Sequence, residues 1–162
     1  MIKIKVIFYN CSIGITRLSA QAVKMLDRYE DFCSDKEQRM RVIREYKRAE
    51  SLEEAWQLNQ KKSNRVLGGM VWLKMGKMQI GTAIDLSGLG LDTIEETGEE
   101  FRIGCMVTLR DLELDPGLNS YTDGAARESV RHIVGVQFRN LATVGGSIYG
   151  RYGFSDVLTM IF

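Results

Sequence analysis

The sequence predicts an α+β protein, in which a small three-stranded α/β lobe is followed by the first part of an α+β lobe. Between residues 40 and 87, short apolar strand patterns alternate with helical patterns, as in parallel strands joined by helical crossovers. After residue 88 the pattern changes to a hairpin and a series of short helices. Glycine pairs punctuate both parts, and a glycine-containing stretch over residues 136–147 organises the second.

The bulk composition is that of one globular domain. The 162 residues are 44% hydrophobic and 27% charged, and 22 Lys and Arg against 21 Asp and Glu leave a net charge of +1. Such a balance gives no electrostatic reason to expect nucleic acid or an anionic membrane as a partner. No apolar run approaches the about 20 residues of a membrane span, and we expect no signal peptide.

The cysteine usage excludes several kinds of site. Cys11, Cys33 and Cys105 are an odd number and show no metal-ligand spacing. This pattern argues against a zinc site and a disulfide framework, and it fits a reducing cytoplasm.

In the N-terminal part, residues 1–9 alternate like a strand and residues 18–29 are compatible with a helix. Residues 42–46 read as a short strand. The sequence over residues 51–54 is that of a capping box, in which Ser51 accepts from the amide three residues on and Glu54 reaches back.

The helix after this cap places Leu52, Ala55 and Trp56 on one face, at the spacing of a buried stripe. Residues 65–67 predict a second strand and residues 82–86 a third, with a helical turn over residues 71–75 between them.

The second part begins with a predicted hairpin, because residues 91–96 and 100–103 flank a Thr-Gly turn. Residues 108–111 have the sequence of a helix cap, and the short helix that follows must end before Pro116. Residues 123–133 predict a longer amphipathic helix leading into the 136–147 stretch.

Two glycine pairs carry the functional signal. Gly145 and Gly146 lack a Cβ, so their backbone can adopt positive φ and let a ligand approach. Successive amides of such a turn form an anion-binding concavity. Thr143 and Ser147 add hydroxyl groups, and the carboxylate of Asp156 can accept from sugar hydroxyls.

The other pair, Gly68 and Gly69, follows a predicted strand, where phosphate ligands of α/β units are found. The alternative for both pairs is an ordinary tight turn without a ligand. For Asp156 it is a helix N-terminal residue stabilised by the macrodipole, and both roles can hold together.

Three segments in order resemble a known family. The string RNLATVGGS over residues 139–147, with Ser155-Asp156 after it, is similar to the flavin-binding segment of the molybdenum hydroxylases, written RN-ATIGGN…SD-LP. Residues 65–75, RVLGGMVWLKM, resemble that family's AGGT-L…MK loop. Residues 101–112, FRIGCMVTLRDL, resemble its L-IGA-TTL-EL segment. The resemblance extends from about residue 40 to the end of the chain.

The resemblance implies a two-lobed PCMH-type FAD-binding domain with FAD in the cleft between lobes. It implies that the cofactor-binding residues are Leu67, Gly68, Gly69, Met70, Ala142, Thr143, Val144, Gly145, Gly146, Ser147 and Asp156, with no catalytic side chain and no metal. The sequence departs from the family where Met70 replaces Thr, Val71 replaces Asp or Asn, and Ser147 replaces Asn. A thioether cannot donate to phosphate, so the first loop would use backbone amides alone.

The roles of several neighbouring residues stay open. Arg139 can pair with phosphate or simply suit a helix end. Tyr149, Arg151 and Tyr152 can line the flavin or pack elsewhere. His132 is expected at the surface or partly packed, and Cys105 as a small buried apolar residue.

By this resemblance, FAD receives electrons from a molybdopterin subunit through the 2Fe-2S subunit and passes them to NAD or another acceptor. The rival hypotheses are a truncated remnant or assembly piece that holds no flavin, and an unrelated α/β protein with a phosphate ligand. Relatives continue beyond residue 162, so we expect weak or absent FAD affinity for this fragment alone. Residues 1–39 match nothing in the family. We expect them to be either an over-extended reading frame, with Met40 the true start, or a short arm ordered against a partner.

Overall fold

The computed structural model describes the backbone of residues 3–7 and the chain from residue 42 to residue 161. Its elements, in chain order, are β1 (Lys3–Ile7), β2 (Ile43–Arg48), α1 (Leu52–Asn59), β3 (Arg65–Leu67), a 3-10 helix (Leu73–Met75), β4 (Ile80–Asp85), β5 (Ile94–Glu96), β6 (Glu100–Gly104), α2 (Leu109–Leu114), α3 (Pro116–Tyr121), α4 (Ala125–Arg131), α5 (Val136–Arg139), α6 (Val144–Gly150) and α7 (Asp156–Ile161).

The first sheet is parallel and has the order β2-β4-β3. In its register Ile43 lies opposite Ile80, and Arg65 lies opposite Ala83. The central strand β4 is almost wholly buried, whereas β2 is an exposed edge. The predicted three-stranded α/β lobe is therefore confirmed.

Helix α1 begins with half of the predicted capping box. The Ser51 hydroxyl accepts from the Glu54 amide at 3.1 Å, but the Glu54 carboxylate accepts from the amide of Glu50 at 2.8 Å instead of that of Ser51. Ala55 is buried and Leu52 partly buried, as expected. The expectation that Trp56 is buried is wrong, because 47% of this residue is exposed.

The second sheet has the order β1-β6-β5. Strands β5 and β6 form the predicted antiparallel hairpin, and the Thr97 hydroxyl donates to the Glu100 carbonyl at 2.9 Å in its turn. The N-terminal alternation does form a strand, β1, which runs parallel to β6. The helix predicted for residues 18–29 lies outside the described residues.

The helices after β6 begin as the sequence predicts and then depart from it. Thr108 and Asp111 form a complete capping box at α2. The helix predicted over residues 123–133 is present but shorter, because α4 covers only Ala125–Arg131. Asp123 and Gly124 take φ values of 55° and 81°, which no α-helix accommodates, and Val134 at φ 50° ends the run on the other side.

Each lobe has its own core. The larger one surrounds Phe101 and Ile103 of β6 and is built from α2, α3, α4, α6 and α7. In the first lobe, one cluster contains Ala55 and Ile84, and another contains Leu67, Ile80 and Ala83. Within the described part of the chain, no helix has the length and apolar character to cross a membrane.

Candidate functional site

The two glycine pairs lie against one another at the junction of the lobes. A Cβ on Gly68 would stand 2.8 Å from the Thr143 hydroxyl oxygen and 4.0 Å from the Cα of Gly146. A Cβ on Gly69 would overlap the carbonyl oxygen of Leu141. Neither position has room for a side chain, and this close approach brings residues 68–69 together with residues 141–146.

The first glycine segment, residues 68–71, has main-chain amides without a described acceptor. Within residues 3–7 and 42–161, no acceptor is found for the N–H groups of Gly68, Gly69, Met70 and Val71, and these four residues are partly buried. Four successive main-chain donors are therefore available to a ligand or to water. Met70 has φ 58°, and successive amides around a left-handed residue form an anion-binding concavity.

The side chains of this segment point into both cores. Met70 packs against the first-lobe cluster of Leu67, Ile80 and Ala83, and Val71 packs against the second-lobe core. Leu67 itself is buried. The two residues that depart from the family pattern therefore anchor the loop by packing, and its free donors belong to the backbone.

The second glycine segment, residues 141–147, differs from the expectation drawn from the sequence. Gly145 and Gly146 do not have positive φ; they form the first turn of α6, whose N-cap is Thr143. The Gly145 amide donates to the Cys105 carbonyl at 2.8 Å, and the Gly146 amide donates to the Thr143 hydroxyl at 3.2 Å. The free-amide concavity expected here is therefore absent, because these donors already have acceptors within the described chain.

Gly145 is instead required by packing. A Cβ there would stand 2.6 Å from the Cys105 carbonyl oxygen, so only glycine lets α6 dock on the turn after β6. The docking continues on both sides, since Val144 donates to Val107 at 2.9 Å and Leu109 donates to Ala142 at 2.9 Å. Ala142, Thr143 and Val144 are all buried.

The remaining polar residues of the predicted site, Ser147 and Asp156, differ in their hydrogen bonding. The Ser147 hydroxyl donates back to the Thr143 carbonyl at 3.0 Å. Asp156 is the first residue of α7 and is exposed, and its carboxylate makes no hydrogen bond or ion pair within the described residues. Ser155 precedes it and accepts from the Leu158 amide at 3.4 Å, so α7 begins where the sequence predicts.

Arg139 has a role that sequence reasoning did not predict. It is buried, and its Nε donates to the Glu113 carboxylate at 2.7 Å, while its Nη1 donates to the Ile133 carbonyl at 3.2 Å. This guanidinium is bonded to Glu113, so of the two roles left open for Arg139, pairing with phosphate is not supported, while its position in the last turn of α5 agrees with the helix-end role. Nothing in the local sequence marked Glu113, which comes from a different helix.

The charge of Glu113 is stabilised by two arginines. Burial acts to raise the pKa of its carboxyl group, but hydrogen bonds from Arg139 and Arg110 outweigh burial and place the pKa below its ordinary value. Arg110 lies 2.8 Å from the other carboxylate oxygen. The resulting cluster ties α2 to α5, immediately before the second glycine segment.

His132 and Cys105, two other residues considered from the sequence, contribute no side chain to the candidate site. His132 is exposed at the end of α4. Cys105 is partly buried, packs against the first-lobe core, and has a pKa raised by burial. Within the described residues, no group of three or more His, Cys, Asp or Glu could hold a metal ion.

An aromatic group adjoins the first glycine segment. Trp72 lies with its ring centroid 5.1 Å from that of Tyr152, which in turn lies 5.3 Å from that of Phe154. Tyr149 and Arg151 are exposed nearby in sequence, and Arg151 has φ 50°. Trp72 and Phe154 were not predicted as site residues, although two exposed aromatics beside a glycine loop are a signal that could have found them.

A cavity of about 420 Å³ lies elsewhere between the lobes, lined by Leu86, Ser87, Leu91, Asp92, Met106, Thr108 and Asp111. None of the predicted cofactor-binding residues lines it. The unbonded amides and the glycine contacts locate the candidate site at the 68–71 loop instead.

Comparison with known proteins identifies the family. The model of the FAD binding domain in molybdopterin dehydrogenase matches residues 38–162. This chain therefore belongs to that family, and its cofactor is FAD. The resemblance read from the three sequence segments is confirmed.

Solved structures agree with this assignment. A cyanide-inactivated Cu,Mo-CO dehydrogenase is 25% identical with a TM-score of 0.61, over 68% of this chain and 41% of its own. A Hydrogenophaga pseudoflava carbon monoxide dehydrogenase lacking the Mo-pyranopterin moiety is 28% identical with a TM-score of 0.58, over 67% and 40%. Quinoline 2-oxidoreductase from Pseudomonas putida 86, at 21% identity and a TM-score of 0.59 over 68% and 40%, shares the fold.

The chain thus spans about two fifths of the length of the solved chains it matches. No curated protein matches it closely enough to count as a relative. The predicted α+β fold class is confirmed by the two sheets and by these structural matches.

Proposed function

We propose that this chain is the FAD-binding part of a xanthine-dehydrogenase-type molybdenum hydroxylase of the cytoplasm. Its FAD would take electrons from the 2Fe-2S subunit, which receives them from the molybdopterin-binding subunit, and pass them to NAD or another acceptor. Family membership supports the flavin role. The similarity to carbon monoxide dehydrogenase structures supports an oxidoreductase of several cofactors.

The observation that carries the proposal is the run of amides at Gly68–Val71 that have no acceptor in the described part of the chain, with Gly68 and Gly69 close to residues 141–146. A diphosphate is an anion that accepts several N–H donors at once, so this loop fits the FAD diphosphate. Thr143 and Gly146 would hold the loop in place from the other lobe. Asp156 is exposed and its carboxylate has no partner among the described residues, so it would accept from ribose hydroxyls.

The chain's own residues bind and orient the cofactor in this proposal. When bound, FAD supplies the electron transfer itself. The amides of residues 68–71 would neutralise diphosphate charge, and Leu67 and Val144 would fix the two segments through their buried side chains. Ala142, Gly145 and Ser147 would act through backbone contacts that position α6.

The test is FAD binding by the purified chain, measured by calorimetric titration. We expect weak but measurable binding of FAD, and weaker binding of FMN and riboflavin because they lack the diphosphate. Weaker binding of all three than of a non-flavin phosphate ligand, or no measurable heat of binding with FAD in excess, would favour the rival: a remnant or assembly piece without flavin.

The electron path needs the whole complex. Reading frames beside this gene are expected to encode the molybdopterin and 2Fe-2S subunits, and the three should copurify when co-expressed. Reduction of the flavin by the complex's substrate, and its reoxidation by NAD, would support the proposed direction. A complex whose flavin is not reduced while its iron–sulfur clusters are would contradict it.

A further inference from the structure

Three aromatic side chains form a contiguous group at the surface. The Trp72 and Tyr152 rings are tilted by 40°, and the Tyr152 and Phe154 rings are close to parallel at 23°. Trp72 is 46% exposed and Phe154 is 74% exposed. Large exposed aromatic groups are uncommon on protein surfaces that bind nothing.

The aromatic group adjoins the 68–71 loop in the chain. Gly68 contacts Thr143 and Gly146 at the first turn of α6, whereas Trp72 contacts Tyr152, which follows the end of the same helix. Trp72 directly follows Val71, the last residue of the 68–71 loop, so the aromatic group begins next to that loop in the chain.

The main-chain amides of residues 68–71 and the adjoining aromatic side chains are together complementary to one class of ligand. Main-chain amides bind the phosphates of a nucleotide, and exposed aromatic faces stack on planar heteroaromatic rings whatever their substituents. A dinucleotide carries a diphosphate with such a ring at either end, so it can contact both features at once.

We propose that Trp72, Tyr152 and Phe154 form an aromatic platform that stacks on a planar ring of the dinucleotide whose diphosphate lies at the 68–71 amides. This inference rests on the proposed function and adds a second contact to it. Gly150 allows the arrangement, because a Cβ there would stand 2.6 Å from the Tyr152 ring. The contact is supplied by side chains, whereas the diphosphate site is supplied by backbone.

The experiment compares Trp72→Leu and Phe154→Leu with Trp56→Leu in the full chain. Trp56 is the matched control, because it is 47% exposed and lies on α1, in neither glycine segment nor the platform. Calorimetric titrations with FAD, ADP, FMN and inorganic diphosphate give the affinities. Thermal unfolding shows whether each variant folds. If Trp72→Leu does not fold, Phe154→Leu still tests the proposal, because Phe154 is highly exposed.

We expect the affinity for FAD to fall by about tenfold in the Trp72 and Phe154 variants and to be unchanged in the control. Inorganic diphosphate, which has no ring, should bind all variants equally. A matching loss for ADP assigns the ring as adenine, and a matching loss for FMN assigns it as isoalloxazine.

Failures of the two proposals are distinguishable. If both platform variants bind FAD as tightly as the parent chain does, the platform is overturned and the proposed function stands. If the parent chain binds neither FAD nor diphosphate, the proposed function fails and the platform fails with it.

Discussion

The carbonyl oxygen of Leu141 occupies the space that a Cβ on Gly69 would need. Gly69 follows β3 of the first lobe, and Leu141 precedes α6 of the second. Their contact is made by backbone on both sides, which cannot move as the end of a long side chain can. Closure of the two lobes at the candidate site therefore depends on the absence of one side chain.

Gly69→Ala should separate the two glycine segments. We expect a loss of about 1–3 kcal/mol in the free energy of unfolding, because the added methyl group forces a backbone shift. The affinity for FAD should fall more than the stability loss explains, since the amides of residues 68–71 move away from α6. Urea unfolding and FAD titration measure the two effects.

Gly98→Ala is the matched control for this substitution. A Cβ at Gly98 meets nothing within 4 Å, and its φ is not in the left-handed region. Its unfolding free energy and FAD affinity should stay close to those of the parent chain. Equal effects of the two substitutions would contradict the role given to Gly69.

Glu113→Gln should destabilise the chain strongly. The substitution leaves the buried Arg139 guanidinium without a counter-charge, and breaking a buried pair from one side costs about 3–5 kcal/mol. Glu128→Gln is the control, because Glu128 also pairs with an arginine at 2.7 Å but at the surface. That change should cost less than about 1 kcal/mol in urea unfolding, and similar losses in both variants would argue against the buried cluster.

The same pair predicts a pH dependence in the acid range. Burial acts to raise the pKa of the Glu113 carboxyl group, but its bonds to Arg139 and Arg110 lower it below the ordinary 4.5. A lowered folded pKa gives stability that is present above the ordinary pKa and is lost as the pH falls through the folded pKa. The difference in unfolding free energy between the parent chain and Glu113→Gln should therefore be constant near neutral pH and shrink below about pH 4.5. A difference that grows on acidification would reverse the assigned sign.

Thr143→Val should weaken the start of α6. The hydroxyl accepts from the Gly146 amide at 3.2 Å, and loss of such an N-cap costs about 1 kcal/mol. Valine has nearly the same shape, so the contact of Thr143 with Gly68 should persist. Thermal unfolding should show the loss in Thr143→Val and little of it in Thr143→Ser, which keeps the hydroxyl. If the two variants unfold alike, the cap contributes no measurable stability.

The sequence by itself determined much of the local structure. Strand β3 and the hairpin follow from short apolar runs and their turn residues, and the Thr108 cap follows from residue types three positions apart. These signals are local, because a strand, turn or cap is decided within a few residues. The glycine pairs are local signals of the same kind. The resemblance of the segments around them to a known family indicated FAD as the cofactor.

Only the tertiary structure decided which backbone groups remain free at the site. Both glycine pairs have the same local chemistry, yet Gly145 donates to Cys105 on another segment, whereas no acceptor within the described residues faces Gly68 or Gly69. Likewise, Arg139 forms an ion pair with Glu113 of another helix, and the Trp72 ring contacts the Tyr152 ring, which lies after α6 in the chain. Whether a donor is available to a ligand depends on acceptors that folding brings from distant parts of the chain, and no local pattern contains that information.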